Sequence, residues 1–327
     1  MSLRWALLGT SRIGRSVVPR MQDGARHDLV AVASRSEDRA RAYAAEWRIP
    51  RAYGSYEELL AAPDIDAVYI PLPNSLHAEW TIAAVRAGKH VLCEKPLALS
   101  LHEVHAVSEA ARATGRVVAE AFMYRHHAQT LRVKSLIDEG AVGKVRVVRG
   151  AFAFWLSREE DVRLHPALGG GALWDVGCYP VSFARFMLGE EPVEAIGMAD
   201  AGPTGVDLTF AGQLRFGSGA ILQFDCSFRT DFRVLMEFVG AEGTLVIPNP
   251  FKPREREQLV LRRGDRQQTI DVTGGPLYLG ELDDMADAVE QGKPPRVSLA
   301  ESRANIAALV ALLESARTGR VASLGGP

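Results

Sequence analysis

The sequence lacks several features that would assign a protein to a specialised class. It has three cysteines, Cys93, Cys178 and Cys226, an odd number at wide spacing. Such a set argues against a disulfide framework and fits a reducing compartment. No apolar run approaches the length of a membrane span, and no basic segment followed by an apolar one opens the chain. We therefore expect a cytoplasmic protein with no membrane partner.

An excess of charge of either sign is also lacking. The chain has 38 basic and 40 acidic residues mixed along its length, and its formal net charge is −2. Proteins that bind nucleic acid concentrate basic residues in a patch or along one helix, so no nucleic-acid partner is expected. The histidine pairs His126-His127 and His102/His105 each lack the further ligands that a zinc site needs, so no metal is predicted.

The length and the pattern of the chain predict two domains. Its 327 residues exceed what one hydrophobic core usually serves. Between residues 4 and 121, short apolar strands alternate with helical segments, which predicts a doubly wound parallel sheet of the α/β class. Between residues 191 and 272, strands follow one another at short spacing, which predicts an α+β domain with a large open, mostly antiparallel sheet.

We place the first domain at residues 1–122 and the second at residues 123–327. Helical patterns at residues 179–188, Leu279–Gln291 and Leu299–Thr318 are expected to cover one face of the second sheet, and the C-terminal helix could instead pack back on the first domain. The other face is left for a neighbour. A homodimer or homotetramer that forms through this sheet is therefore expected.

A glycine turn follows the first strand, with the sequence Gly9-Thr10-Ser11-Arg12-Ile13-Gly14. It matches the dinucleotide-binding fingerprint at the first and third glycines, and Ser11 stands where the second glycine is usual. A strand, a glycine turn and a helix in this order hold a pyrophosphate at the helix N-terminus. The turn predicts a Rossmann-type NAD(P) site with contacts from Gly9, Thr10, Ser11, Ile13 and Gly14.

The second strand ends at Ser34-Arg35, about 20 residues beyond the glycine turn, where NAD enzymes place an acid for the ribose 2′-hydroxyl. A hydroxyl and a guanidinium can instead donate charge-assisted hydrogen bonds to a 2′-phosphate. Ser34 and Arg35 therefore predict NADP as the cofactor, with NAD as the other possibility. Arg39 and Arg41 are interpreted as the solvated face of the next helix.

The strand His90–Glu94 leads directly into Lys95-Pro96. Proline ends the strand ladder and holds the residue before it in extended geometry. Lys95 is therefore either a positioned site residue or a solvated loop lysine. Ligands of such sheets bind beyond the carboxyl ends of the strands. The residues that fall at or next to such ends, and so favour the site interpretation, are Gly9, Arg35, residues 71–74, Lys95 and Glu120.

Three consecutive glycines at residues 169–171 precede a helical pattern that carries Asp175 and Tyr179. Residues four apart on a helix share a face, and an acid beside a phenol can move a proton to or from a hydroxyl. The alternative is an acid favoured by the helix dipole and a tyrosine of the core. The glycines favour the first interpretation, because they let a backbone lie against a ligand.

These segments resemble the Gfo/Idh/MocA family of oxidoreductases over essentially the whole chain. The resemblance is carried by residues 9–14, 70–77, 93–96, 120–125 and 169–180. It implies an N-terminal Rossmann domain, a C-terminal open-sheet domain and NAD(P)-dependent hydride transfer on the carbinol of a sugar, polyol or diol. The chain is most similar to the branch that contains glucose-fructose oxidoreductase, NADP-dependent D-xylose dehydrogenase and dimeric dihydrodiol dehydrogenase.

The chemistry and the resemblance together imply roles for individual residues. Tyr179 is expected to be the acid/base, and a phenol, whose pKa is about 10, needs a cation such as Lys95 to favour its anion. Lys95 also orients the substrate oxygen, and Asp175 accepts from the substrate or steers Lys95. The cofactor contacts beyond the glycine turn and the end of the second strand are assigned to Pro71, Leu72, Asn74, His77, Glu94 and Lys95, and Asn74, His77 and Glu94 are expected on the nicotinamide-ribose side. The substrate pocket is assigned to Tyr124, Arg125, Phe154 and Arg163.

A second hypothesis is a non-catalytic NAD(P)-binding sensor or regulatory protein of the same fold. Such a protein has no need of the lysine, whereas Lys95, Asp175 and Tyr179 are all present in this sequence. We therefore favour an enzyme that acts on a small sugar, polyol or trans-diol. Nothing in the residue pattern selects one substrate from this class.

Overall fold

The computed structural model describes residues 2–23 and 25–325. The chain divides into two compact units, each built around one β-sheet. The first unit contains the residues up to His126 together with Pro276–Arg303. The second contains His127–Gly275 together with the residues from Ala304 onward.

The sheet of the first unit is parallel throughout. Its strands are β1 (Leu3–Leu8), β2 (His27–Ala33), β3 (Arg51–Tyr53), β4 (Ala67–Ile70), β5 (His90–Glu94) and β6 (Val118–Ala121). The helices between them are α1 (Gly14–Asp23), α2 (Glu37–Trp47), α3 (Tyr56–Ala61), α4 (His77–Arg86) and α5 (Leu101–Thr114). The order β3-β2-β1-β4-β5-β6 reverses direction between β1 and β4, and this switch point is where ligands bind in doubly wound sheets. The predicted Rossmann-like fold is confirmed. The short strand β3 was not predicted.

The strands of this unit are apolar along almost their whole length, because helices cover both faces of a parallel sheet. Trp5, Tyr69 and Leu92 are at most 1% exposed. The helix α8 (Leu279–Gln291) contributes Leu282 and Met285 to the same core. The expectation that this helix covers the second sheet was therefore wrong. Its apolar stripe is visible in the sequence, but a stripe does not state which sheet it faces.

The sheet of the second unit is antiparallel except for the pairing of its first and fourth strands in chain order. Its strands are β7 (Val145–Ala153), β8 (Pro192–Ala201), β9 (Asp207–Phe216), β10 (Ile221–Ser227), β11 (Arg233–Gly240), β12 (Thr244–Ile247), β13 (Arg256–Arg263), β14 (Arg266–Thr273) and β15 (Ala322–Ser323). They lie in the order β14-β13-β12-β11-β7-β10-β9-β8-β15. The predicted large, mostly antiparallel sheet is confirmed.

Helices cover one face of this second sheet. The helices of the unit are α6 (Ala128–Asp138), α7 (Cys178–Leu188) and the part of α9 (Leu299–Thr318) that begins at Ala304. Two glycines of the sheet let these helices approach. A Cβ on Gly150 would lie 2.7 Å from the Pro180 Cβ of α7, and a Cβ on Gly197 would lie 2.5 Å from the Leu312 carbonyl oxygen of α9. Across residues 2–23 and 25–325, no helix is long and apolar enough to cross a membrane.

Candidate active site

The glycine turn after β1 has the backbone geometry of a nucleotide-binding turn. Gly9 has φ +117°, a conformation that side chains disfavour, and its N–H donates to the Ala33 carbonyl at 3.0 Å. A Cβ at this position would lie 2.9 Å from the Leu72 side chain. The turn therefore requires glycine, and it lies between the ends of β2 and β4, next to the switch point of the sheet.

The residues of this turn fit a dinucleotide. The helix α1 begins at Gly14 and has no acidic residue in its first turn, so its N-terminal dipole favours an anion. The Ser11 hydroxyl is buried and has no hydrogen-bond partner among the residues that the structure describes. A hydroxyl left unsatisfied beside a helix N-terminus is suited to donate to a phosphate oxygen. The second-glycine position is thus occupied by a residue that adds a donor to the turn.

The end of β2 presents a cation to solvent. Ser34 is buried and its N–H donates to the Tyr53 carbonyl at 3.1 Å, whereas Arg35 is exposed. The next residue, Ser36, caps α2 by accepting the N–H of Arg39. The exposed Arg35 side chain can therefore reach a ligand, whereas the Ser34 N–H and the Ser36 hydroxyl are engaged in the hydrogen bonds described above.

Arg39 lies nearer to this region than the sequence indicated. An open cavity of about 290 Å³ is lined by Thr10, Arg39, Ala42, Tyr43 and Glu46. Arg39 is exposed, as the interpretation of a solvated helix face expects, and it also lines this cavity. Arg39 lies in the first turn of α2, whose N-cap Ser36 directly follows Arg35, and this closeness along the chain is the signal that could have placed it here.

The two arginines also act on a buried phenol. Burial raises the pKa of Tyr56, and the positive charges of Arg35 and Arg39 partly offset that rise. Both guanidinium groups therefore lie close enough to Tyr56 to be felt electrostatically. A positive potential at this end of β2 is what a 2′-phosphate would meet.

Lys95 follows β5 in a turn fixed by neighbouring backbone contacts. The Lys95-Pro96 peptide bond is cis, and the Lys95 N–H donates to Glu94 Oε2 at 3.3 Å. The Tyr69 hydroxyl donates to the other oxygen of Glu94. Leu97 N–H then donates to the buried Glu120 side chain at 2.9 Å. The lysine backbone is thereby held at the carboxyl end of the sheet, as the site interpretation expects.

His77, the first residue of α4, contacts the backbone of this turn. The ring is 1% exposed, and its two nitrogens lie 2.7 Å from the Pro96 carbonyl and 2.8 Å from the Leu72 carbonyl. Burial lowers the pKa of His77, and the nearby charge of Lys95 lowers it further. The ring therefore ties the segment after β4 to the Lys95-Pro96 turn. Its predicted contact with the cofactor stays a prediction.

Two residues near Glu94 were missed by the sequence analysis. Glu281 of α8 is 2% exposed, and burial together with the Glu94 charge raises its pKa well above the usual range. Tyr278, directly before α8, has its pKa raised by burial and by the same two acids, and its hydroxyl bonds the Ser16 side chain of α1. No local motif connects residues so far apart along the chain, so the sequence carried no signal for them.

Asp175 and Tyr179 lie in the second unit, on a segment with unusual helical geometry. Residues Leu173–Gly177 form a π-helical turn, and α7 begins directly after it at Cys178. The sequence predicted an ordinary helix here. Single π-turns are rare and occur often at functional sites. Asp175 is 7% exposed and Tyr179 is 4% exposed.

Arg163 is the ionic partner of Asp175. Its Nε donates to Asp175 Oδ2 at 2.6 Å, and its other nitrogen lies 3.2 Å from Asp161 Oδ1. The Asp175 carboxylate is the main cause that raises the pKa of Arg163, so the pair stays charged. The structure thus brings Arg163 and Asp175 together, although the sequence assigned them to substrate and catalysis separately.

Aromatic side chains surround the Tyr179 ring. The ring centroids of Phe152 and Phe251 lie 5.2 and 5.4 Å from that of Tyr179. Phe154, a predicted substrate residue, lies 6.5 Å from Phe152 and 5.4 Å from Phe228 by the same measure. Phe154 therefore belongs to the aromatic cluster that fixes the Tyr179 ring.

The other two predicted substrate residues lie in the first unit and are fully enclosed. Tyr124 is 0% exposed and packs edge-on against Phe122 at 5.8 Å. Arg125 is 2% exposed and donates to Glu301 at 3.2 Å. Lys95 also belongs to the first unit, whereas Asp175 and Tyr179 belong to the second. That these residues serve one reaction stays a prediction.

The described residues contain no group of three His, Cys, Asp or Glu side chains that could hold a metal ion.

Comparison with known proteins identifies the family to which the chain belongs. Residues 3–122 match the model of the GFO/IDH/MocA oxidoreductase family with an NAD-binding Rossmann fold, and residues 130–246 match the model of its C-terminal domain. The chain belongs to the Gfo/Idh/MocA family of oxidoreductases.

Relatives of this chain are dehydrogenases and reductases. A D-xylose 1-dehydrogenase (NADP(+)) from Haloferax volcanii is 40% identical over 98% of this chain and 100% of its own length. A trans-1,2-dihydrobenzene-1,2-diol dehydrogenase from Danio rerio is 36% identical over 76% of this chain and 75% of its own. The structure of a 3-ketoreductase from Actinomadura kijaniata with NADP and TDP-benzene matches with a TM-score of 0.92 and 28% identity, covering 96% of this chain and 98% of its own.

These relationships decide between the two hypotheses of the sequence analysis. The chain is an NAD(P)-dependent dehydrogenase or reductase that acts on CH–OH groups, and the predicted family is confirmed. A non-catalytic sensor is not favoured, because relatives aligned along nearly the whole chain carry enzymatic names. The turn geometry at Gly9 and the free Ser11 hydroxyl fit the dinucleotide that this class uses.

Proposed function

We propose that this protein transfers a hydride between NADP and a carbinol of a sugar, polyol or trans-diol. The observation that carries the proposal is the end of β2, where a buried Ser34 and an exposed Arg35 stand in place of the acid that NAD enzymes use. Purified protein, assayed for nicotinamide reduction with NADP and with NAD against a panel of such compounds, tests it.

Electrostatics support the choice of NADP. A phosphate at the ribose 2′ position carries charge that a carboxylate would repel and a guanidinium can bind with paired hydrogen bonds. Arg35 is exposed, and Arg39 lines the adjacent cavity. The xylose relative is named for NADP, and the 3-ketoreductase was crystallised with it. Arg35 is therefore assigned to the 2′-phosphate.

Oxidation of a carbinol requires that the hydroxyl lose its proton as the hydride leaves. The bound nicotinamide supplies the hydride acceptor. We assign the proton to Tyr179 and the polarisation of the substrate oxygen to the Lys95 ammonium. Lys95 suits this role because His77 and Glu94 hold the backbone from which its side chain extends. A cation placed at the substrate oxygen stabilises the negative charge that develops there.

Asp175 receives a narrower role than the sequence suggested. Its Oδ2 is engaged by Arg163 at 2.6 Å, which neutralises part of its charge and fixes its orientation. We propose that the carboxylate orients a substrate hydroxyl and that Arg163 keeps it in place. In this assignment Arg163 acts through Asp175, and a substrate contact by Arg163 is not required.

The substrate class is supported by the named relatives. One is named for D-xylose and another for a dihydrobenzene diol, and both compounds carry neighbouring hydroxyl groups. The Tyr179 ring packs against the buried Phe152 and Phe251, and Phe154, which contacts Phe152, is partly exposed and offers apolar surface. Apolar walls with a few placed polar groups are typical of small-molecule sites. A vicinal diol with an apolar ring face fits both features.

We also propose that the protein is a homo-oligomer that assembles through the second sheet. Gly197 of β8 faces α9, so its neighbours Ile196 and Met198 point to the opposite face, where they are 45% and 74% exposed. Exposed apolar residues on an uncovered sheet face indicate an interface. Light scattering at micromolar concentration should give a dimer or tetramer, and Met198→Glu should shift it toward monomer. A wild-type monomer would contradict this proposal.

A further inference from the structure

Asp207 is a buried carboxylate that holds the backbone where the π-helical turn begins. It opens β9 and is 8% exposed. Its Oδ2 accepts the N–H of Leu173 at 2.7 Å, and the N–H of Ala172 also donates to it. The first N–H groups of a helix have no intrahelical acceptor. One side chain from a distant strand thus satisfies two of them.

The fit between Asp207 and this backbone is tight. Gly171 has φ +123°, and a Cβ at this position would lie 2.2 Å from Asp207 Oδ1. Any side chain at residue 171 would therefore displace the carboxylate. This contact gives the third glycine of the triplet a function, which the sequence analysis had attributed to a ligand.

The segment held by Asp207 carries the proposed catalytic residues. Asp175 N–H donates to the Gly171 carbonyl at 3.1 Å, so the position of Asp175 follows directly from the backbone that Asp207 fixes. Arg163 holds the same segment at two points: its Nε binds the Asp175 carboxylate, and its carbonyl accepts the Gly171 N–H at 2.9 Å. Asp207 and Arg163 therefore constrain the segment from different directions.

We propose that Asp207 is a positioning residue for the reaction: through the N–H groups of Ala172 and Leu173 it sets the direction in which Asp175 and Tyr179 are presented. The inference rests on the proposed function only for its catalytic consequence. The structural part, that this carboxylate orders the segment from Ala172 to Tyr179, stands on the contacts alone.

The ionised Asp207 side chain does not contribute favourably to the free energy of folding, which indicates a functional role for it. Burial raises the pKa of Asp207 to about 6, although its backbone hydrogen bonds act in the opposite direction. Ionising this group in the folded state therefore costs free energy. The Cys226 thiol of β10 lies close enough to Asp207 to be affected by its charge, and burial raises the pKa of this thiol well above its usual value, so that it stays neutral. A destabilising ionised group is retained where it serves a site.

The test compares Asp207→Asn with Asp200→Asn, an exposed aspartate on β8 that serves as the matched control. The amide keeps the shape of the side chain but loses the charge and one acceptor oxygen. Hydrogen exchange of peptides that span residues 171–179 is measured first, because it needs no substrate. We expect exchange in this segment to become about tenfold faster in Asp207→Asn and to be unchanged in the control.

The catalytic consequence is measured with the substrate that the wild type uses best. In Asp207→Asn we expect kcat to fall about tenfold or more, with KM and the Kd for NADP within about twofold of wild type. Unchanged exchange at residues 171–179 would overturn the inference, as would faster exchange with unchanged kcat. If Asp207→Asn does not fold, Gly171→Ala is measured in its place, because its Cβ displaces the same carboxylate. A wild type without NADP-dependent turnover would refute the proposed function, and the exchange result would still decide whether Asp207 orders the segment.

Discussion

The Nε–H of Arg163 donates to Asp175 Oδ2 at 2.6 Å. Asp175 lies within a π-helical turn that ends two residues before Tyr179. The two side chains differ in exposure to solvent: that of Asp175 is 10% exposed and that of Arg163 is 39% exposed. Because the Asp175 carboxylate is buried, the guanidinium offsets part of the cost of burying that charge. It also fixes the direction of one carboxylate at the place where the proposed proton chemistry occurs.

Arg163→Met is expected to lower kcat by about tenfold to a hundredfold, because a freed Asp175 carboxylate no longer orients the substrate hydroxyl. Arg163→Lys should recover part of the loss, since it restores the charge without the planar fork. Steady-state kinetics on both variants measure this effect. Arg158→Met, an exposed arginine in the same loop, is the control and should behave as wild type. Equal activity in Arg163→Met and Arg158→Met would remove the pair from the mechanism.

Arg35→Asp is expected to weaken NADP binding by about 10- to 100-fold while leaving NAD binding much less affected, because only the 2′-phosphate loses a charge-assisted partner. Titration calorimetry with both nucleotides measures the two constants. The control variant is Arg41→Asp, which makes the same change of charge in α2, where the exposed Arg41 pairs with Glu37. Equal weakening of both nucleotides in Arg35→Asp would contradict the assignment.

Gly14→Ala is expected to destabilise the first unit by about 1–3 kcal/mol, because its Cβ would lie 1.9 Å from the Tyr43 hydroxyl oxygen. Tyr43→Phe alone should be close to neutral, since that hydroxyl is buried without a partner among the described residues. In the double variant the clash is relieved, and stability should recover in part. Denaturant unfolding of the three variants measures the coupling, and strict additivity would show that the two groups do not meet.

The stability contribution of Asp207 should change with pH in a defined direction. Its folded pKa of about 6 lies above the value of about 3.9 for a free aspartate, so the folded state binds the proton more tightly. Stability from this group therefore falls as pH rises from about 4 to about 6. Relative to Asp207→Asn, the wild type should be more stable at pH 5 than at pH 7 by about 1 kcal/mol. A difference of opposite sign would contradict a raised pKa.

Much of the first unit could be predicted because its signals are local. Alternating strands and helices, the glycines of the turn and the Ser100/Glu103 capping pair are each legible within about a dozen residues. The segment Ser100-Leu101-His102-Glu103 has the capping-box pattern, which predicts that each of the two side chains accepts the backbone N–H of the other residue. In the structure Ser100 Oγ accepts the N–H of Glu103 at 3.2 Å, as this pattern predicts, whereas the Glu103 carboxylate accepts the N–H of Leu99 and not that of Ser100. The pattern was right, and its atomic detail differed by one residue.

The parts that could not be predicted depend on contacts between distant segments. Asp207 stands at a strand start with no periodic or motif signal, yet it holds the turn that carries Asp175. Glu281 approaches Glu94 only because α8 returns to the first sheet. The π-helical turn was also not predicted, because nearly every residue from Leu173 to Phe183 is buried and the segment has no apolar stripe in which an extra residue would show.

The most direct test of the central claim is initial-rate reduction of NADP by the purified protein across D-xylose, other aldoses, polyols and trans-diols. Lys95→Met and Tyr179→Phe are assayed in parallel, and NADP binding of each is checked by calorimetry. The account predicts turnover with at least one compound, a preference for NADP over NAD, and a loss of about a hundredfold or more in each variant with NADP still bound. Absence of turnover by a wild type that binds NADP, or full activity in Lys95→Met, would contradict it.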